Sequence, residues 1–204
     1  MAQTSTTLSG AKSHRVDISG TDISFTSTGG VYTIKSTSTV LTGAGKLAAL
    51  DLVTVTNSSS NNSTFTIKAV VSTTEFTVEE IVTDETADGS TSVTLDHTGF
   101  VTDKAKGDGY YSQPDGVHTV AYQIVNLGDS TDDFNGTIKM QGSLATTPTE
   151  DDWFDISGTT LTSDQSTTNH AYNFTGNFVW VRAKTETTNL SSNPSMVTSI
   201  LLNN

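Results

Sequence analysis

An all-β protein is predicted, with two small antiparallel β domains following a flexible N-terminal arm. Three observations predict it. The run Asp51–Glu80 alternates apolar and polar residues with a period of two around turn-type blocks. Ser and Thr take the solvated positions that charges usually fill, so only 16% of residues are charged and 33% hydrophobic, a composition that suits half-exposed strands. The one stretch of helical composition, Gly43 to Leu50, is too short for more than a turn of helix.

Residues 1–15 (MAQTSTTLSGAKSHR) hold a single large aliphatic, Leu8, and read as a flexible arm, either a disordered tail or a segment that orders against a neighbouring subunit. Residues 16–97 read as the first domain, a small barrel or sandwich. Val16, Ile18, Ile23 and Phe25 alternate around Gly20, and Gly29-Gly30 turns the chain into Val31-Tyr32-Thr33-Ile34. In the central run, Leu52 to Thr56 forms one strand, Asn57 to Ser63 a polar turn, and Phe65, Ile67 and Ala69 the next strand. Phe76 and Val78 then mark a third, returning antiparallel beside the second. An acidic connection, Asp84 to Gly89, leads to a closing strand at Val93-Thr94-Leu95. Residues 98–116 concentrate Gly, Lys and a Pro114-Asp115-Gly116 turn and read as a linker.

Residues 117–204 read as the second domain. Val120, Tyr122 and Ile124 share one strand face, and Ile138, Met140 and Leu144 share another, with Phe134 just upstream. Further strands are expected at Ala171 to Phe174, Phe178 to Lys184 and Met196 to Leu202.

Composition excludes several functions. The formal net charge is −12; residues 1–100 carry five Lys/Arg against ten Asp/Glu and residues 101–204 five against twelve, or −5 and −7. Neither half has the basic footprint that nucleic-acid binding needs. There is no cysteine, so disulfides, thiolate metal sites and a Cys nucleophile are excluded. No apolar signal core opens the chain and no run approaches the roughly 20 apolar residues of a membrane helix. Folding in a cytoplasm, with no membrane partner, is the expectation.

Motifs for catalysis fail one by one. GAGKLAALD places Leu47 where a phosphate loop needs the Mg²⁺-binding hydroxyl. His14, His97, His118 and His170 show no metal-ligand spacing and read as surface or strand-edge residues. No G-x-S-x-G elbow occurs. Two acidic groups, Glu150/Asp151/Asp152/Asp155 and Asp129/Asp132/Asp133, lack the spacing of a calcium loop and read as solvated carboxylates. No cofactor, metal or catalytic residue is therefore expected. Trp153 and Trp180 sit in apolar patterns and read as core, the alternative being sugar-stacking platforms. Phe100, Tyr110 and Tyr111 are apolar groups inside the expected linker, which pack either between the two domains or against another subunit; with Leu8 they are the candidate subunit-contact residues.

Two stretches resemble phage proteins. LAALDLVTVTNSSSNNSTFTIKAVVSTTEFTVEEIVTDETADGSTSVTL, from Leu47 to Leu95, resembles a small all-β module of tailed-bacteriophage structural proteins. GTIKMQGSLATTPTEDDWFDI with TGNFVWVRAKTE, within Gly136 to Leu202, resembles the jelly-roll-like sandwich of phage tail and virion proteins. Its Ala145–Asp152 loop is longer and more acidic than the common form. The resemblance implies a virion setting, with synthesis in the host bacterial cytoplasm. Within that setting the expected role is non-enzymatic: a head decoration (cement) protein on the capsid surface. The alternatives are a tail, neck or baseplate accessory protein, or a glycan- or receptor-binding module of a tail fibre. The expected partners are the major capsid protein or tail proteins, and further copies of the chain, with a trimer suggested by shell symmetry.

Overall fold

A computed structural model of the chain describes residues 5–113, 116–124, 134–162, 169–187 and 197–203. Within them the fold is nearly all β, built of antiparallel sheets as in a β-sandwich, with two short 3-10 turns. No helix among the described residues is long and apolar enough to cross a membrane. The chain divides into two compact units, Arg15–Phe100 and the pair of segments Met1–His14 and Val101–Asn204. The first strand, β1 (Ser5–Ser9), belongs to the two-segment unit.

The Arg15–Phe100 unit contains β2 (Ile18–Gly20), β3 (Ile23–Thr28), β4 (Val31–Ser36), β5 (Asp51–Thr56), β6 (Thr64–Ser72), β7 (Glu75–Val78) and β8 (Val93–Val101). Pairing runs β2-β8-β5-β6-β7-β4-β3. The two ends of this path, β2 and β3, are separated in sequence only by Thr21 and Asp22. The sheet must therefore curl back toward itself, although β2 and β3 do not pair with each other. β6 makes the corner: Thr64–Thr66 pair with β5, while Ile67 onward pairs with β7 through two register shifts. Gly29 and Gly30, with φ of 59° and 79°, supply the two positive-φ positions of the β3–β4 hairpin. The period-two residues Val53, Val55, Phe65, Ile67, Phe76 and Val78 all point inward and join Ile23, Phe25, Ile34 and Leu95 in one core. Gly43 to Leu50 forms a Gly43–Lys46 turn that delivers Leu47 to that core.

Two carboxylates clamp the loops of this unit. Asp22 accepts hydrogen bonds from the hydroxyls of Ser36, Thr37, Ser38 and Thr39 and from the backbone N–H of Ser38 and Thr39. Those bonds, Thr39 and Ser36 foremost, hold its pKa far below the usual carboxylate range. Glu85 accepts from Ser58 Oγ at 2.6 Å, Asn61 Nδ2 at 2.9 Å and the N–H groups of Ser59 and Ser60, which fixes the Asn-rich turn. Burial alone would raise its pKa, but these bonds outweigh burial and lower it. A group depressed in the folded state stabilises above its unfolded pKa, near 4, and loses that contribution as pH falls toward its folded value. An Asp22→Asn variant is thus expected to be less stable than the parent at neutral pH. Chemical denaturation should show the gap narrowing as the pH falls below about 4; a gap independent of pH would exclude the clamp.

The other unit contains β1, β9 (Ala105–Lys106), β10 (Val117–Ile124), β11 (Gly136–Ser143), β12 (Phe154–Asp155), β13 (Leu161–Thr162), β14 (Asn169–Thr175), β15 (Trp180–Thr187) and β16 (Val197–Asn203). One sheet runs β1-β16-β10-β14. In the other, β11 pairs with β15 and with the short β12 and β13, and β9 pairs with β15. Val120, Tyr122, Ile138, Met140, Val181, Ala183, Ile200 and Leu202 are all fully buried. Tyr122 reaches from β10 to donate a 2.8 Å hydrogen bond to the Thr159 carbonyl, and burial pushes its phenol pKa up.

Three expectations are corrected. Ser5–Ser9 is a strand paired with Val197–Asn203 within its own chain, and so is no free arm. Residues 98–113 are no linker: Thr98 to Val101 complete β8, Ala105–Lys106 form β9 and Asp108–Tyr111 a 3-10 turn. The glycines there signal close approach, since a Cβ on Gly107 would lie 2.4 Å from the Phe178 carbonyl oxygen and one on Gly109 2.7 Å from that of Asn177. Leu144, just past β11, is exposed where a core position was expected. Pro114 and Asp115, and most of the polar loop Asn126 to Gly136, lie outside the described residues.

Candidate functional site

On β15, Val181, Ala183 and Thr185 face the core, and Trp180, Arg182 and Lys184 occupy the opposite face. Arg182 is the centre of this face. Its guanidinium grips Glu150 with two parallel bonds of 2.7 and 2.6 Å, and its Nε donates to Gln141 Oε1 at 2.9 Å. Its Cζ lies 4.3 Å from the Trp153 ring centroid. Glu150 is held there by the loop it starts, where Thr149 and Asp152 form a reciprocal cap. Gln141 passes the network to Asp155 at 2.9 Å, and Lys139 reaches Asp155 at 2.8 Å. Burial alone would raise the Asp155 pKa; the bonds from Lys139 and Gln141 outweigh it and lower the pKa.

The acidic cluster Glu150/Asp151/Asp152/Asp155 is therefore mostly committed to structural bonds, with Asp151 left exposed. Among the described residues no three His, Cys, Asp or Glu side chains converge as metal ligands. Asp129, Asp132 and Asp133 lie outside the described residues.

Neither tryptophan is core, which corrects the reading from the sequence. Both are half-buried, each with a cation on one ring face. Trp180 Nε1 donates to the Thr146 carbonyl at 3.1 Å, and Lys104 Nζ lies 4.6 Å from its ring centroid. Tyr110 packs edge-on against Trp180 at 5.0 Å and against Tyr111 at 5.2 Å. Lys106 Nζ sits 4.1 Å above the Tyr110 ring. β9 opposite Trp180 supplies Lys106, the residue just before β9 is Lys104, and the 3-10 turn supplies both tyrosines. Such cation–aromatic contacts contribute about 0.5–1 kcal/mol each at exposed sites, so their main effect is to fix side chains otherwise free to wander.

Beside this cluster lies a groove of about 410 Å³, lined by Thr6, Thr7 and Leu8 of β1, by Asp103 to Lys106, and by Tyr111. Leu8 and Tyr111, two residues singled out from the sequence as contacts, thus share one concavity, and Tyr110 packs edge-on against Tyr111 beside it. Tyr110 and Tyr111 are 43% and 56% exposed. Phe100 is different: it is buried in β8 and is removed from any contact surface.

Two histidines are also corrected from surface to interior. His97 is 3% exposed; its Nδ1 accepts the Arg15 N–H, which assigns the proton to Nε2, 3.7 Å from Asp51 Oδ1. Asp51 also accepts from Arg15 Nε and the Ala48 N–H. His118 is 1% exposed, stacks on Phe174 and places Nε2 3.6 Å from Asp108 Oδ2. Reasoning from sequence missed Arg182, Lys104, Lys106 and these Asp–His pairs. The signal for His97 was present: it follows Val93 and Leu95 at period two on the buried face of β8.

The chain matches no protein-family model, no curated protein and no solved structure.

Proposed function

We propose that the chain is a non-enzymatic structural protein of a tailed-bacteriophage particle, and specifically a head decoration (cement) protein that binds and stabilises the capsid surface. The observation that carries this reading is how the ionisable side chains are used. Arg182 holds Glu150, Lys139 holds Asp155, Asp22 and Glu85 clamp turns, and Asp51 and Asp108 face buried histidines. Groups committed in this way rigidify two small β units and leave recognition to loops and strand edges. The acidic surface keeps an abundant subunit soluble before it docks. Binding only the assembled shell raises the cost of rupture by mass action. The partners are the major capsid protein and further copies of the chain, in trimers matching the shell.

Quantitative mass spectrometry of purified particles tests this reading. Hundreds of copies per particle are expected; a handful would place the protein on the tail, neck or baseplate, and its absence from particles would end the virion reading. A second reading, a glycan-binding module of a tail fibre, is favoured by one observation, the groove beside Tyr111.

A further inference from the structure

The geometry points to the groove between β1 and β9 as a binding site for a carboxylated saccharide, a sugar bearing a hexuronate or sialate carboxylate. This deepens the second reading and does not depend on where in a particle the protein sits.

The volume, about 410 Å³, lies within the range of small-ligand clefts. Its lining combines three kinds of group that few ligands satisfy together. Lys104 and Lys106 bring two positive charges to one place in a chain of net charge −12. Both are pre-positioned over aromatic rings, Lys104 on Trp180 and Lys106 on Tyr110. An ammonium has three donors, so that of Lys104, resting on the Trp180 ring, still presents N–H groups to an acceptor. A carboxylate is the matching group, through short charge-assisted bonds.

Asp103 narrows the choice. A ligand that were only an anion, such as phosphate or an oligoglutamate segment, would be repelled by this carboxylate in the same lining. A ligand that also carries hydroxyls turns Asp103 into an acceptor, and the hydroxyls of Thr6 and Thr7 supply complementary donors and acceptors. The exposed Tyr111 ring offers the apolar face on which the C–H face of a pyranose lies. Charge, hydroxyls and an apolar face on one small rigid body describe an acidic sugar.

Isothermal titration calorimetry of the full chain tests this with trigalacturonate and sialyllactose, against the neutral galactotriose and lactose and against hexaglutamate. At least one acidic sugar is expected to bind ten-fold or more tighter than its neutral counterpart. A Lys104→Glu/Lys106→Glu variant should abolish binding and Tyr111→Ala weaken it about ten-fold, with the far-ultraviolet dichroism of a folded β protein retained. Asp103→Ala is the decisive variant: it weakens saccharide binding if Asp103 accepts hydroxyls, and strengthens it if the lysines merely attract anions, which overturns the proposal. Equal affinity for neutral sugars overturns the acidic specificity and leaves the glycan reading standing. Hexaglutamate binding as tightly as the sugars, or no binding of any probe at millimolar concentration, overturns the site.

Discussion

Replacing Glu150 with alanine is expected to destabilise the unit built from Met1–His14 and Val101–Asn204 by about 3 kcal/mol, more than replacing Arg182 itself. The asymmetry follows from burial. The Arg182 side chain is 6% exposed and that of Glu150 20%. Without Glu150 the guanidinium keeps only Gln141 and the Trp153 face, and its charge is left in a poorly solvated place. Without Arg182, Glu150 turns outward to water. Swapping both for apolar residues of similar volume, Glu150→Leu with Arg182→Met, should recover most of the loss, because well-packed apolar pairs match buried ion pairs. Denaturation curves of the three variants read this directly, and a Glu150→Ala midpoint equal to the parent's would reject the arrangement.

Phe76→Ala is expected to cost about 3–5 kcal/mol, through lost transfer energy and the cavity left behind. Phe76 is fully buried on β7, directly opposite Ile34 of β4. Since a domain of this size is stable by only about 5–15 kcal/mol, the variant should sit near its folding limit. Val70, the partner of Phe76 in the β6–β7 register, supplies the control. It is 44% exposed, so Val70→Ala should shift stability by no more than about 0.5 kcal/mol. Hydrogen exchange in β4, β6 and β7 would follow the loss. Equal effects at the two positions would mean that the inward face has been misassigned.

The contrast between Phe76 and Val70 also shows what was legible from the residues. Strand alternation places Val53, Val55, Phe65, Ile67, Phe76 and Val78 on one face, and all six are core. That pattern is local, because a strand's two faces are set by its own geometry. Features that depend on a distant partner were not legible. Residues Ser5 to Ser9 look like an arm until β16, nearly two hundred residues later, provides the edge they pair with. Gly107 and Gly109 look like linker residues until the Asn177-Phe178 backbone is seen packed against them. Trp180 fits a core pattern by alternation, yet its neighbour Val181 takes the inward position. Arg182 and Glu150 show nothing in sequence to link them. The candidate site was half legible: Leu8, Tyr110 and Tyr111 stood out as misplaced apolar groups, whereas the two lysines that give the groove its charge did not.

The β1–β16 pairing has a consequence for how the chain is made. Ser5–Ser9 leaves the ribosome long before its partner Val197–Asn203, and at roughly 5–20 residues per second the intervening residues take on the order of 10–40 s to synthesise. Through that interval the nascent Ser5–Ser9 segment has no partner in its own chain, while Arg15–Phe100 is complete and can close early. The wall that Thr6, Thr7 and Leu8 give the groove is thus set in place only after translation of β16 is finished.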